Sequence, residues 1–148
     1  MKGLARTDAG PSHGRDSRRL AVCFCTHCGA VQDEAPQRVC GRCGLGVLLH
    51  CAPGLLTREG AAFLVVKRDL RISAASVGVQ PLLGDPDNLL GMPLQEVLSA
   101  GPDLVRWIAR AAMGSHRVVS VAMRRGPQRI NGKIAACGDP PAALVVLD

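Results

Sequence analysis

The chain has no tyrosine, a single tryptophan and two phenylalanines, so Phe24, Phe63 and Trp107 are its whole aromatic inventory. Proteins that hold exposed nucleic-acid bases stack them on aromatic rings along a basic groove, and neither half of that pattern is prominent. The net charge of +6 is spread out: residues 1–20 carry five basic and two acidic side chains, residues 21–60 three and three, and residues 61–148 ten and seven. Long apolar runs are missing as well. Nothing approaches the roughly 18–20 residues needed to cross a bilayer, and no apolar stretch follows Lys2 and Arg6 to make a signal peptide. The expectation is a soluble, cytoplasmic protein with no membrane partner. Catalytic patterns are also lacking: no paired carboxylates, no Ser-His-Asp order and no phosphate-cradling glycine loop, with His13, His27, His50 and His116 scattered along the chain. A non-enzyme is expected.

What is present is apolar material and cysteine. Hydrophobic residues make up 47% of the 148 residues and charged ones 20%, enough to build a packed core. Residues 1–20 are the exception, being rich in Gly, Ser, Arg and Asp, and read as a flexible basic tail. Six of the seven cysteines fall between Cys23 and Cys51, so that stretch obeys a constraint the remainder does not share. A small metal module over residues 21–56 and a second domain over residues 57–148 follow, with Pro53-Gly54 as punctuation between them.

Within the module, Cys25-Thr26-His27-Cys28-Gly29 and Cys40-Gly41-Arg42-Cys43-Gly44 are matched Cys-x-x-Cys knuckles. Two residues between paired cysteines let one tight turn deliver both sulfurs to the same ion, and four thiolates satisfy a structural zinc tetrahedron. Each glycine that follows can take the backbone conformation that aims amides back at the sulfurs. About 30 residues cannot hold themselves together by burial alone, whereas coupled zinc binding and folding contributes roughly 10–16 kcal/mol. The expected ligands of one structural Zn2+ are therefore Cys25, Cys28, Cys40 and Cys43, with Cys23 or Cys51 as substitutes for one of them. A closed four-sulfur site leaves no position for a reacting water.

The second domain opens with Phe63-Leu64-Val65-Val66 and Leu70-Arg71-Ile72, two strands around the polar turn Lys67-Arg68-Asp69. Asp85 reads as an N-cap before Pro86, Gly91 as a stop, and Pro93 as the opening of a short helix with Leu94, Val97 and Leu98 on one face. A longer helix is expected over Pro102–Met113, with Leu104, Val105, Ile108, Ala111 and Ala112 as its apolar stripe and Gly114 as its stop. The period then turns to alternation, predicting strands over Val118–Met123, Arg129–Cys137 and Ala142–Leu147. Asn131-Gly132 is a hairpin signal inside the second of these and suggests a bulge or a shifted turn. Cys137 reads as a small buried apolar residue, His116 as a helix-end group and Trp107 as a core residue or a dimer contact.

Residues 61–148 resemble a PAS sensory domain. The resemblance rests on the run from Phe63 to Ile72, on Leu82-Leu83-Gly84, and above all on Asn88-Leu89-Leu90-Gly91-Met92-Pro93-Leu94-Gln95-Glu96-Val97-Leu98. The knuckle segment resembles a zinc ribbon. Together they imply an α+β fold: a small N-terminal zinc ribbon, then a five-stranded antiparallel sheet with helices on one face and a small interior pocket. Where many PAS domains carry an asparagine after the second strand this chain has Ala74-Ala75-Ser76, and the Asn-Cys-Arg-Phe-like run of the flavin-binding branch is absent, so the pocket ligand is open. The implied role is that of a small sensory or regulatory protein whose ribbon meets protein or nucleic acid. The alternative is a zinc-ribbon nucleic-acid binder of the transcription apparatus whose second domain only dimerises. The last expected strand runs to the end of the chain, so no kinase, cyclase or helix-turn-helix output is expected after it. An uncovered sheet face built from Val118–Met123 and Ala142–Leu147 would be apolar, which predicts a homodimer through that face.

Overall fold

The computed structural model describes residues 22–32, 38–56 and 60–148; the expected basic tail, residues 1–20, lies outside the described residues. Three short strands come first: β1 Val22–Cys25, β2 Val31–Gln32 and β3 Leu48–Cys51, with β1 in the middle. Then follow β4 Ala62–Val66, β5 Ile72–Ala75, a helical region, and β6 Val119–Arg125, β7 Gln128–Cys137 and β8 Ala142–Leu147. The helical region holds 3-10 turns at Val77–Val79 and Pro86–Leu89, single helical turns α1 Gln80–Leu83 and α2 Leu94–Val97, and the longer α3 Gly101–Ala112. Among the described residues no helix is long and apolar enough to cross a membrane.

The five strands β4 to β8 pair antiparallel in the order β5-β4-β8-β7-β6. The expectation of a five-stranded sheet is nevertheless too small. β3 adds to the edge of β7 through the pair Cys51↔Cys137, so the N-terminal strands join the same sheet and it has eight strands. The long strand β7 makes this possible by using one edge in sections. Residues 128–134 pair with β6, the Ala136 amide donates to the Ser115 carbonyl at 3.0 Å, and Cys137 meets β3.

Strand alternation sorts the core into two layers, since successive side chains point to opposite faces. Ala62, Leu64 and Val66 of β4 and Ala143, Val145 and Leu147 of β8 face the helices, where Leu104, Ile108 and Ala111 of α3 are buried with them. Those three lie at i, i+4 and i+7, one stripe of a helix. Fully burying a side chain such as Ile108 stabilises by about 1.5–3 kcal/mol. On the opposite face Phe63, Val65, Ala135, Cys137 and Leu144 pack with Phe24, Cys51, Leu55 and Leu56 of the N-terminal segment. The face expected to require a symmetric partner is thus covered, over β4, β8 and the end of β7, by the chain itself. What stays open on that face at β6 and β7 is Ser120, Ala122, Arg124, Arg129, Asn131 and Lys133, all exposed and mostly polar. Among the described residues, the open part of that face is therefore polar rather than apolar.

Several local expectations shift. The second strand of the first hairpin begins at Ile72 rather than Leu70, because Leu70 has φ +66° and its amide closes the turn onto the Lys67 carbonyl at 2.9 Å. Asp69 steadies that turn by accepting from the Arg71 amide at 3.0 Å. Asp85 caps its turn as expected, accepting from the Asp87 amide at 2.9 Å. The β6–β7 turn is Gly126-Pro127, bracketed by the pair Arg125↔Gln128. Asn131-Gly132 sits in mid-strand instead, where the Met123 methyl lies in the space a Cβ at Gly132 would take.

Candidate metal centre

The two knuckles converge. The sulfurs of Cys25, Cys28, Cys40 and Cys43 all lie within 4.8 Å of one another. Cys25 and Cys43 are 3.6 Å apart and Cys28 and Cys40 3.8 Å. Four sulfurs at tetrahedral corners about 2.3 Å from a zinc ion stand about 3.8 Å from each other, so the spacing suits a four-thiolate ion of that size. All four are free thiols, so no disulfide competes for them.

Each knuckle is a tight turn whose amides point inward. His27 and Cys28 donate to the Cys25 sulfur at 3.3 and 3.4 Å, Arg42 donates to Cys40 at 3.3 Å, and Leu45 donates to Cys43 at 3.4 Å. Gly29 and Gly44 turn the chain at φ +77° and +70°, the left-handed region open to glycine at little cost. The amides of Leu45 and Gly46 pull the Cys43 thiol down to about 6, whereas burial pushes Cys28 up to about 12. Each knuckle holds one buried and one half-buried sulfur. Amide donors are the usual means of neutralising thiolate charge around a bound cation.

The centre is fixed to the rest of the molecule at three places. The Val77 amide donates to the His27 carbonyl at 2.9 Å, joining the first knuckle to the 3-10 turn after β5. Phe24, between Cys23 and Cys25 on β1, meets Phe63 of β4 edge to face, with centroids 5.3 Å apart and an interplanar angle of 89°. Gly29 lies against Gly60, Ala61 and Phe63, close enough that a Cβ would rest 3.5 Å from the Phe63 ring.

The substitute ligands do not join. Among the described residues the only cluster of three or more metal-binding groups is these four cysteines. Cys51 faces the sheet, with burial pushing its thiol up to about 12, and Cys137 across from it is raised to about 12 for the same reason. The Nδ1 atom of His27 is buried without a hydrogen-bond partner, while His50 and His116 are exposed. Trp107 is half-buried against the helix-side core, with the Arg110 guanidinium 5.3 Å above its ring.

Two contributing residues escaped the sequence reading. Gly46 is buried, and a Cβ there would run into the Cys25 sulfur and approach the His27 amide nitrogen to 2.7 Å. Its signal was the second glycine in Cys43-Gly44-Leu45-Gly46. Ser76 is the sole buried polar residue described; its hydroxyl donates to the Ala61 carbonyl at 2.7 Å and accepts from the Phe63 amide at 3.0 Å. It ties the end of β5 to the start of β4 where the PAS resemblance would have put an asparagine nearby.

A cleft of about 480 Å3 opens on the sheet face away from the helices. Leu55 of the N-terminal segment forms one wall, and Ser120, Arg129, Asn131, Lys133 and Asp148 supply polar groups.

No family model matches the chain, and no curated protein matches it. Among solved structures, it is similar to the PAS domain of nitrogen regulation protein NR(II) from Vibrio parahaemolyticus, at 12% identity and a TM-score of 0.45, covering 60% of this chain and 86% of that one. At that TM-score the likeness decides nothing about fold or function.

Proposed function

We propose that the chain is a small regulatory binding protein in which a structural zinc module and a PAS-like sheet act as one unit, with recognition rather than catalysis as its role. The observation that carries this is the four-sulfur cluster, whose first knuckle bonds directly to the turn following β5, in a module whose strand β3 pairs with the edge of β7. A zinc ion held by Cys25, Cys28, Cys40 and Cys43 fixes the fold of the module and, through it, covers the second face of the sheet. Zinc at such a site organises chain and offers no open coordination position for a substrate. Recognition falls to what the docked module leaves accessible: the cleft between Leu55 and the polar surface of β6 and β7.

Elemental analysis of the purified full chain with native mass spectrometry tests the reading. One zinc per chain, lost in Cys40→Ser together with protection of β1 and β3 from amide exchange, is the expected result. Absence of zinc, or zinc retained in Cys40→Ser, overturns it. The basic groups at the cleft, Arg129 and Lys133, favour a second reading in which the ligand is a nucleic acid. That reading predicts binding that weakens steeply as salt rises, because phosphate contacts release counterions; binding insensitive to salt excludes it.

A further inference from the structure

Cys51 and Cys137 stand outside the metal cluster, yet they face each other across the single register pair that joins the N-terminal strands to the rest of the sheet. The Gly138 amide donates to the His50 carbonyl at 3.0 Å, so the flanking residues carry the ladder bond and Cys51↔Cys137 is a non-hydrogen-bonded antiparallel pair. Such pairs hold their Cα atoms about 4.5 Å apart with side chains on one face, inside the window of about 4.4–6.8 Å that a disulfide spans. Both side chains belong to the same buried cluster beneath Phe24 and Leu144. Cys23, the nearest rival, pairs in register with His50, so the pleat turns it to the opposite face from Cys51.

We propose that Cys51 and Cys137 form an oxidisable dithiol site that reacts with a small-molecule disulfide and closes to a cross-strand disulfide, bolting the metal module to the sheet. The Cys51 thiolate attacks one sulfur of the reagent, whose S–S bond breaks, and the first reagent thiol leaves. The Cys137 thiolate then attacks the Cys51 sulfur of that mixed disulfide and expels the second. The two cysteines lose two electrons together, the reagent gains them, and the two thiol protons end on the two released reagent thiols. Burial keeps both groups as thiols and sets the pace. Access needs local opening of the seam, which is one register pair long. The closed bond would hold the module on the sheet independently of the metal.

The test is to incubate the zinc-loaded full chain with oxidised glutathione and to map disulfides by non-reducing peptide mass spectrometry, with zinc measured in parallel. A Cys51–Cys137 peptide pair, unaffected by Cys23→Ser and formed with zinc retained, is expected. In the oxidised protein, chelator should then leave β4 and β8 protected from amide exchange at Phe63 and Leu144, whereas in the reduced protein that protection falls. Oxidation confined to the knuckle cysteines with zinc release, a Cys23–Cys51 bond, or glutathione left as a stable adduct on either cysteine each overturns the proposal. Because the wild-type map is decisive, a poorly folding Cys137→Ser variant does not rescue it.

Discussion

The two faces of the sheet are closed by different physics. On one side α3 and the short helical turns bury a broad set of Leu, Ile, Val and Ala side chains whose mutual packing suffices. On the other a thin layer of β1, β3, Leu55 and Leu56 lies on Phe63, Val65 and Leu144, and its shape depends on four sulfurs meeting at a point. The first closure is distributed over many contacts, so any one can be weakened. The second is concentrated, so one ligand can release it all.

The strongest way to break that contrast is Cys40→Ser. Coupled zinc binding and folding contributes on the order of 10 kcal/mol, so the substitution should abolish zinc retention and the amide protection of β1 and β3 while α3 keeps its own. Equal loss of protection in Leu104–Ala112 by hydrogen exchange would show that the faces do not separate. Next in size come the neighbours Phe63 and Leu64, both fully buried but pointing to opposite covers. Phe63→Ala should cost about 3–5 kcal/mol and Leu64→Ala about 2–5 kcal/mol in the zinc-loaded protein. After chelation the Phe63→Ala penalty should shrink and the Leu64→Ala penalty should hold, as read by urea unfolding. Gly46→Ala should lower zinc affinity by about 10–100-fold, the usual cost of disturbing groups that support a ligand, with no change in α3; competition with a chromophoric chelator measures it.

A further effect is on pH. Burial holds Cys137 at about 12 against an ordinary thiol value of 9.0. The folded state therefore keeps a proton that the unfolded chain gives up, and this contribution is whole below pH 9 and fades as pH rises toward 12. Cys137→Ala should flatten the decline of stability over that window, measured by chemical denaturation at successive pH values.

How much of this was legible depended on the distance over which each signal acts. The knuckles could be read because ligand spacing is written in adjacent residues, and β8 falls over Ala142–Leu147 as its alternation says. The helix at Gly101–Ala112 starts and ends one residue earlier than predicted, within the fraying of helix ends. Leu70 was misread because a strand-like apolar residue gave no sign of its left-handed turn. Asn131-Gly132 gave a true local preference that the pairing of β7 with β6 and β8 overrode, leaving the glycine in mid-strand beside the Met123 methyl. The eighth-strand edge was beyond reach: it rests on Cys51 meeting Cys137 across 85 intervening residues, and no local pattern announces so distant a pair. The same contact joins strands from both sides of Pro53-Gly54 in one sheet.

The bond from the Val77 amide to the His27 carbonyl reaches further than its 2.9 Å suggests. Val77 opens a three-residue turn, and Val79 at its end is fully buried among the helix-side residues. Gly78 between them is wedged against the carbonyls of Gly60 and Ala61 with no space for a side chain. One hydrogen bond and a three-residue turn thus separate the first knuckle from a side chain packed on the helix side of the sheet.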